Sequence, residues 1–336
     1  MYYIAKAMRL EKVEGESMKN ESNSISSRNL RTLSVLKEPS ESVSDFIGKL
    51  LEQHEKQSLL AEQFRRLQQL IKLHLPWNTV SDYLNNPASL MARENRQLAV
   101  MFTDIRSFTS LSRGRGPEDL FQDLNRYLQI MADVIYRRDG IIDKYIGDSI
   151  MAYFGYPLYS DNTALQAVLA ALEIIDATSN GKSSAAGLSV YPTAIGMSFG
   201  LVTIGNIGHP ERKLNFTIVG DTVNLASRME SLTSVYRQEI LITESIYDKI
   251  KDVLPYRLVD TLTVEDKERS IRVFTTKKDL SQQEQAAWNK HNKGMDHFYE
   301  NDFEIALKCF QDVLEYQESD HLAKMMIERC TKNMQK

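Results

Sequence analysis

The sequence predicts an α+β protein: one mixed sheet covered by helices, with a helix ahead of it and a small helical hairpin module behind it. Between Asn95 and Lys278, short runs rich in β-branched and aromatic residues alternate with amphipathic helical stretches. Within that region, residues 140–154 read GIIDKYIGDSIMAYF, two apolar runs on either side of Gly147-Asp148, which is a hairpin signal. Outside it, apolar residues recur at helical spacings alone.

Taken in order, residues 1–42 are polar after MYYIAKAM and dominated by Ser, Asn, Glu and Lys, so they are expected to be flexible. Residues 43–91 form a helical linker. Leu60, Phe64, Leu67 and Ile71 recur along it at spacings of four, three and four, a short seam of heptad type. That pattern fits an amphipathic helix packed on its own domain, and alternatively a parallel helix pair, a short coiled coil feeding a dimer. Pro76 ends the helix and Asn85-Asn86-Pro87 marks a second break.

The sheet domain spans residues 92–280. A strand at 97–102 (QLAVMF) leads to a helix opened by Pro117 and Glu118, with Leu120, Phe121, Leu124, Leu128, Met131 and Ile135 on one face. The hairpin follows, then a helix over 161–175 and a small-residue loop at 180–187. Residues 190–200 and 201–207 read as two strands, broken by glycines at 196, 200, 205 and 208. A strand at 216–219 ends at Gly220-Asp221, where a helix begins with Val223, Leu225, Ala226 and Met229 inward. A strand at 239–242, a helix capped by Thr243, and strands at 256–262 and 270–275 complete the domain. The tail, 281–336, holds helical patterns at 282–298, 303–316 and 320–330. Trp288, Met295 and Phe298 can face Ala306, Phe310 and Leu314 across the first pair.

Composition narrows the function classes. A net charge of −4, with both signs interspersed, argues against a nucleic-acid surface. Cys309 and Cys330 match neither a metal-ligand spacing nor a secreted disulfide framework, which suits a reducing compartment. No apolar run reaches membrane-spanning length and no signal-peptide pattern opens the chain, so a soluble cytoplasmic protein without a transmembrane segment is expected.

Asp148 sits at the tip of the predicted turn, and Asp104 directly follows the first strand. A lone aspartate at a strand end is most often a turn residue or a cap. Two of them, each after an apolar strand and one beside a glycine, make a hard-metal site able to hold Mg²⁺ against phosphates, with the backbone carbonyls of Thr103 and Ile105 nearby. Residues 105–109 (IRSFT) then enter a turn whose amides can meet a phosphate. In GDTVNLASR, Asn224 and Arg228 lie four apart on one helix face. Arg presents planar donors to phosphoryl oxygens and Asn can orient a ribose or an attacking oxygen, although a solvated Arg and a surface Asn are the ordinary alternative. Lys144, by itself, fits an edge lysine better than a donor to a ligand base.

Four segments together resemble the class III nucleotide cyclase catalytic domain: VMFTDIRSFTSL (100–111), DKYIGDSIMAYFG (143–155), GNIGHPERKLNFTIVGDTVNLASRMES (205–231) and ILITESIYD (240–248). With their spacing they cover residues 92–278. The resemblance implies a ferredoxin-like fold whose active sites lie between two head-to-tail catalytic domains. Asp104 and Asp148 match the two aspartates that hold two Mg²⁺ (or Mn²⁺) per active site, with the Ile105 carbonyl beside them. Asn224 and Arg228 match the catalytic pair that orients the ribose and stabilises the pentavalent α-phosphate. Lys144 and Thr217 match the positions that read the purine, a combination that implies ATP, since enzymes making cyclic GMP usually carry Glu and Cys or a similar small residue there. Phe108, Thr109 and Lys267 fall at substrate-binding positions.

The implied protein is an adenylate cyclase, a homodimer converting ATP to 3′,5′-cyclic AMP and pyrophosphate. Each site would take its metal aspartates from one subunit and the other four residues from the partner. The Lys/Thr pair also resembles the subgroup that contains bicarbonate-responsive enzymes. A guanylate cyclase and a non-catalytic cyclase-like regulatory or scaffold protein, acting through its helical tail, are the alternatives. A diguanylate cyclase is disfavoured, because no GGDEF-like run occurs and Asn224 and Arg228 have no role in it. Two departures stand out. Ser107 replaces a usual Gly, and Glu265 and Asp266 replace a Lys and a Gly beside Lys267, where acids repel a polyphosphate unless they point away. The tail resembles one tetratricopeptide-type repeat plus a further helix, expected to pack on the cyclase domain or extend its dimer contact. The N-terminal helix or the tail would also serve a protein partner.

Overall fold

A computed structural model describes residues 43–72, 92–106, 116–179, 191–209, 212–264 and 269–335. The expectations for residues 1–42 and 73–91 lie outside the described residues. The chain divides into two compact units, Met1–Val80 and Ser81–Lys336. In the first, helix α1 (Val43–Lys72) carries i,i+4 ion pairs at Glu52–Lys56 and Glu62–Arg66. Leu60, Phe64 and Leu67 of its seam are more than half exposed.

The second unit is built on an eight-stranded mixed sheet that includes β2 (Gly140–Ile146), β5 (Lys213–Val219), β6 (Ile240–Thr243), β7 (Tyr256–Val264) and β8 (Arg269–Thr276). With β1 (Arg93–Ile105), β3 (Ser149–Phe154) and β4 (Thr193–His209) the sheet runs in the order β2-β3-β1-β4-β6-β8-β7, and β5 pairs β4. Its centre is β1, which pairs antiparallel with β3 on one side and β4 on the other. Period-two alternation divides the side chains of β1 between two cores. Ala99, Met101 and Ile105 pack with Met131 and Ile135 of α2 (Pro117–Arg137), Ala167 and Val168 of α3 (Thr163–Ser179), and Ile246 and Ile250 of α5 (Glu244–Ile250). Leu98 and Val100 face the other way, toward Ile218 of β5 (Lys213–Val219) and Ala226 of α4 (Asp221–Tyr236). Each wholly buried Ile or Val here contributes roughly 1.5–3 kcal/mol of transfer free energy. The fold class expected from the sequence, α+β with a mixed sheet and covering helices, is the one observed.

One element is corrected. The two strands expected at 190–200 and 201–207 are a single strand, β4. Gly196 and Gly200 mark close approach to α4 instead of strand ends, whereas Gly205 lies against Ala92 and Arg93 and Gly208 against Lys213. A Cβ at Gly196 would lie 1.9 Å from the Glu230 amide nitrogen and 2.4 Å from the Ala226 carbonyl oxygen, and one at Gly200 would lie 2.6 Å from Thr222 Oγ1. Over-packing costs about 1–3 kcal/mol where side chains can yield. Backbone cannot yield, so Gly196→Ala is expected to destabilise the protein by about 3 kcal/mol or more in urea denaturation. A loss below about 1 kcal/mol would show that α4 has room to move off the sheet.

The tail helices α6 (Gln282–Tyr299), α7 (Phe303–Tyr316) and α8 (His321–Met334) pack into the same unit. Helix α6 opens with a capping box, Ser281 with Glu284. Arg257 of β7 (Tyr256–Val264) holds the tail to the sheet through a bidentate pair with Asp320, at 2.6 and 2.8 Å. It also donates to His291 Nδ1 at 2.8 Å. An arginine can only donate, so the His291 proton sits on Nε2 and is given to the Leu258 carbonyl at 2.9 Å. Burial, then the Arg257 charge, holds His291 well below its ordinary pKa. It is neutral.

Candidate active site

The site begins at the end of β1. Thr103 pairs with Ile150 in the β1–β3 register, so Asp104 comes level with the β2–β3 turn that carries Asp148. Strand β2 (Gly140–Ile146) enters that turn, and Gly147 takes φ +66°, a left-handed conformation that glycine adopts without strain. Ser149 Oγ donates to Asp104 Oδ1 at 2.6 Å. The Asp148 carboxylate lies beside that of Asp104. Burial, and then the Asp104 charge, raise its pKa, while the N–H groups of Asp148 and Ile105 pull it back only in part. Two carboxylates kept together at this cost are a fit for hard divalent cations, whose charge would relieve the repulsion.

Residues not singled out from the sequence surround the pair. Glu230 of α4 is held above its ordinary pKa by burial and then by Asp104. Arg106 donates to the carbonyl oxygens of Thr233 and Gln238 and so ties the end of β1 to the end of α4. Tyr127 of α2 hydrogen-bonds Thr193 at 2.6 Å beneath the strand ends.

Asn224 and Arg228 occupy one exposed face of α4, opposite the buried Ala226 and Met229. Lys144 and Thr217 meet directly, although they lie on different hairpins: Lys144 Nζ donates to Thr217 Oγ1 at 3.1 Å. Between them lies Asp143, which the sequence reading did not select. The β2–β3 register shifts between Ile142 and Lys144, so a bulge lets consecutive residues turn to the same partner. Thr217 Oγ1 donates to Asp143 Oδ2 at 2.9 Å, and Lys144 Nζ lies 3.1 Å from the same oxygen. The Asp143 side chain has no exposure, and its Oδ1 makes no hydrogen bond of normal geometry. Burial raises its pKa, and Lys144 and Thr217 draw it back. The available sequence signal is the polar pair Asp143-Lys144 interrupting an apolar strand, a pattern that a bulge accommodates. Phe108, Thr109 and Lys267, with Ser107, Glu265 and Asp266, lie outside the described residues.

A separate group in the tail brings His297, Glu300 and Asp302 together with ligand-type atoms within 4.8 Å of one another, at the turn between α6 and α7. It is a candidate metal-coordinating cluster, removed in sequence from the strand ends.

Comparison with known proteins identifies the class. A profile of the adenylate and guanylate cyclase catalytic domain matches residues 90–277, and the chain belongs to that family. An adenylate cyclase of Anabaena cylindrica is 36% identical over 194 residues, covering 55% of this chain and 38% of that protein. The terminal-differentiation-specific adenylate cyclase of Dictyostelium discoideum is 32% identical over 250 residues, covering 71% of this chain and 12% of that protein. The chain therefore spans well under half the length of these curated relatives. The crystal structure of the adenylyl cyclase CyaB from P. aeruginosa superposes with a TM-score of 0.51 at 31% identity, covering 57% of this chain and 98% of that one. The mixed sheet and its covering helices are thus the class III cyclase catalytic fold. No helix among the described residues is long and apolar enough to cross a membrane.

Proposed function

We propose that this protein is an adenylate cyclase that closes ATP to 3′,5′-cyclic AMP, releasing pyrophosphate, at sites shared between two copies of the chain. The observation that carries the reading is the adjacent pair Asp104 and Asp148 at the strand ends of a chain of this family. The two carboxylates would hold Mg²⁺ or Mn²⁺. When bound, two such ions lower the pKa of the 3′-hydroxyl and neutralise the departing pyrophosphate. Arg228 would meet the charge that develops on the α-phosphoryl oxygens, an interaction worth about 3–4 kcal/mol in comparable sites. Asn224 would orient the ribose, where about 1 Å of misplacement costs on the order of a hundredfold.

The preference for adenine is supported by the bonded pair Lys144 and Thr217, and by relatives named adenylate cyclases. The exposed faces of α4 and α1 suit a homodimer, with α1 pairing as a short coiled coil. In this reading the tetratricopeptide-like tail is a packing module and a surface for protein partners. The test offers equal ATP and GTP to the purified chain with Mg²⁺ or Mn²⁺, with and without bicarbonate, and identifies products by chromatography. Cyclic AMP in excess is expected. Dominant cyclic GMP would make the protein a guanylate cyclase. No product, together with no metal-dependent nucleotide binding, would favour a regulatory cyclase-like protein.

A further inference from the structure

We infer that Asp143 is a specificity-determining residue, which sets the hydrogen-bonding sense of Thr217 so that its hydroxyl can only accept from a purine. The inference rests on the reading that Lys144 and Thr217 face the base, and extends it to a residue below them.

A threonine hydroxyl has one proton to give and two lone pairs to receive with. Free to rotate, it can donate to a carbonyl oxygen or accept from an amino group, and so it discriminates poorly. Here its proton is committed to Asp143 Oδ2 at 2.9 Å. One lone pair takes the Lys144 ammonium at 3.1 Å. The second lone pair is what remains for a ligand. Adenine offers the 6-amino N–H as its donor at that edge, whereas guanine offers the O6 acceptor. An oxygen that can only accept pairs with the first and repels the second.

Burial keeps the arrangement from relaxing. Thr217 is 7% exposed, so water does not compete for its proton. Lys144 Nζ, 3.1 Å from Asp143 Oδ2, favours the ionised, accepting form of the buried carboxylate. The bulge at Asp143 brings this about, since in a regular strand neighbouring side chains point to opposite faces. The Ile218 N–H also lies against this carboxylate and helps to hold it in place, although Oδ1 makes no hydrogen bond of normal geometry.

The experiment measures kcat/KM for ATP and for GTP in the wild type, Asp143→Asn and Asp143→Ala, with circular dichroism to establish folding. Ala frees the Thr217 hydroxyl to turn and donate to guanine O6, whereas Asn keeps an acceptor oxygen for Lys144 and Thr217 and serves as the conservative control. The ATP-to-GTP ratio is expected to fall tenfold or more in Asp143→Ala, with a rise in GTP turnover contributing, and to stay near wild type in Asp143→Asn. A simple loss of structure would lower both rates together and leave the ratio unchanged. A ratio within twofold of wild type in folded Asp143→Ala, or a ratio that falls equally in Asp143→Asn and Asp143→Ala, would overturn the inference while leaving the ATP reading intact. A wild type that prefers GTP, or makes no cyclic product, would overturn the reading itself and this inference with it.

Discussion

Asp148→Ala is expected to reduce cyclic nucleotide formation by more than about a hundredfold while the protein stays folded, with Asp104→Ala behaving alike. The folded state should tolerate the loss, because the two carboxylates repel each other. The Asp148 pKa is raised by burial and by Asp104. The folded state therefore binds more protons than the unfolded state across the carboxylate range. On that account Asp148 makes the metal-free protein less stable as pH rises from the ordinary aspartate pKa through its own raised value. Asp148→Ala removes that slope. A divalent cation binding only the folded state should raise the wild-type melting temperature, and do so little in the variant. Substantial activity at saturating Mn²⁺ in either variant would remove these aspartates from the chemistry. Mixing Asp148→Ala with Arg228→Ala subunits tests the shared sites, since one heterodimer then holds one site with all its residues. Failure to recover activity in demonstrated heterodimers would mean that each chain carries its own site.

The second large effect concerns stability and the tail. Asp320→Ala should destabilise the unit by about 3–5 kcal/mol, because it leaves Arg257 buried beside the neutral His291 without its counter-charge. It also removes the N-cap of α8, where Asp320 accepts from the Ala323 N–H at 2.8 Å, at a further cost of about 1 kcal/mol. Burial pushes the Asp320 pKa up, but Arg257 outweighs it and the net shift is downward. A depressed carboxylate contributes stability that is present above the ordinary aspartate pKa and is lost as pH falls through the folded value. Wild-type stability should therefore decline on acidification more steeply than that of Asp320→Ala. Urea titrations across that range read both effects. A change below about 1 kcal/mol at neutral pH would mean that the tail is held by its apolar contacts alone.

Several features of this protein follow from neighbours in the chain. Gly147-Asp148 between two apolar runs makes a turn, and a turn holds Asp148 at its tip. The four-residue spacing of Asn224 and Arg228 puts both on one face of α4. Runs of alternating strand and helix character, read together, lead to an α+β sheet domain. Each of these depends on backbone geometry over a few residues, which composition and periodicity report directly.

Other features belong to contacts between distant segments. The meeting of Asp104 with Asp148 needs the β1–β3 register, which neither strand specifies alone. Gly196 and Gly200 of β4 suggest breaks until α4 is seen lying against them. Asp320 and Arg257 are an ordinary cap and an ordinary strand arginine until the tail folds back and buries them together. Asp143 is one more polar residue in a strand until a bulge turns it under a threonine of another hairpin. Apart from the division of β4, the types of element, their order and the residues at the strand ends are legible along the chain, because local torsions and side-chain periodicity set them. Register, bulge and buried charge pairing were decided only in the tertiary structure, because their energies exist only once remote strands and helices exclude water from between them.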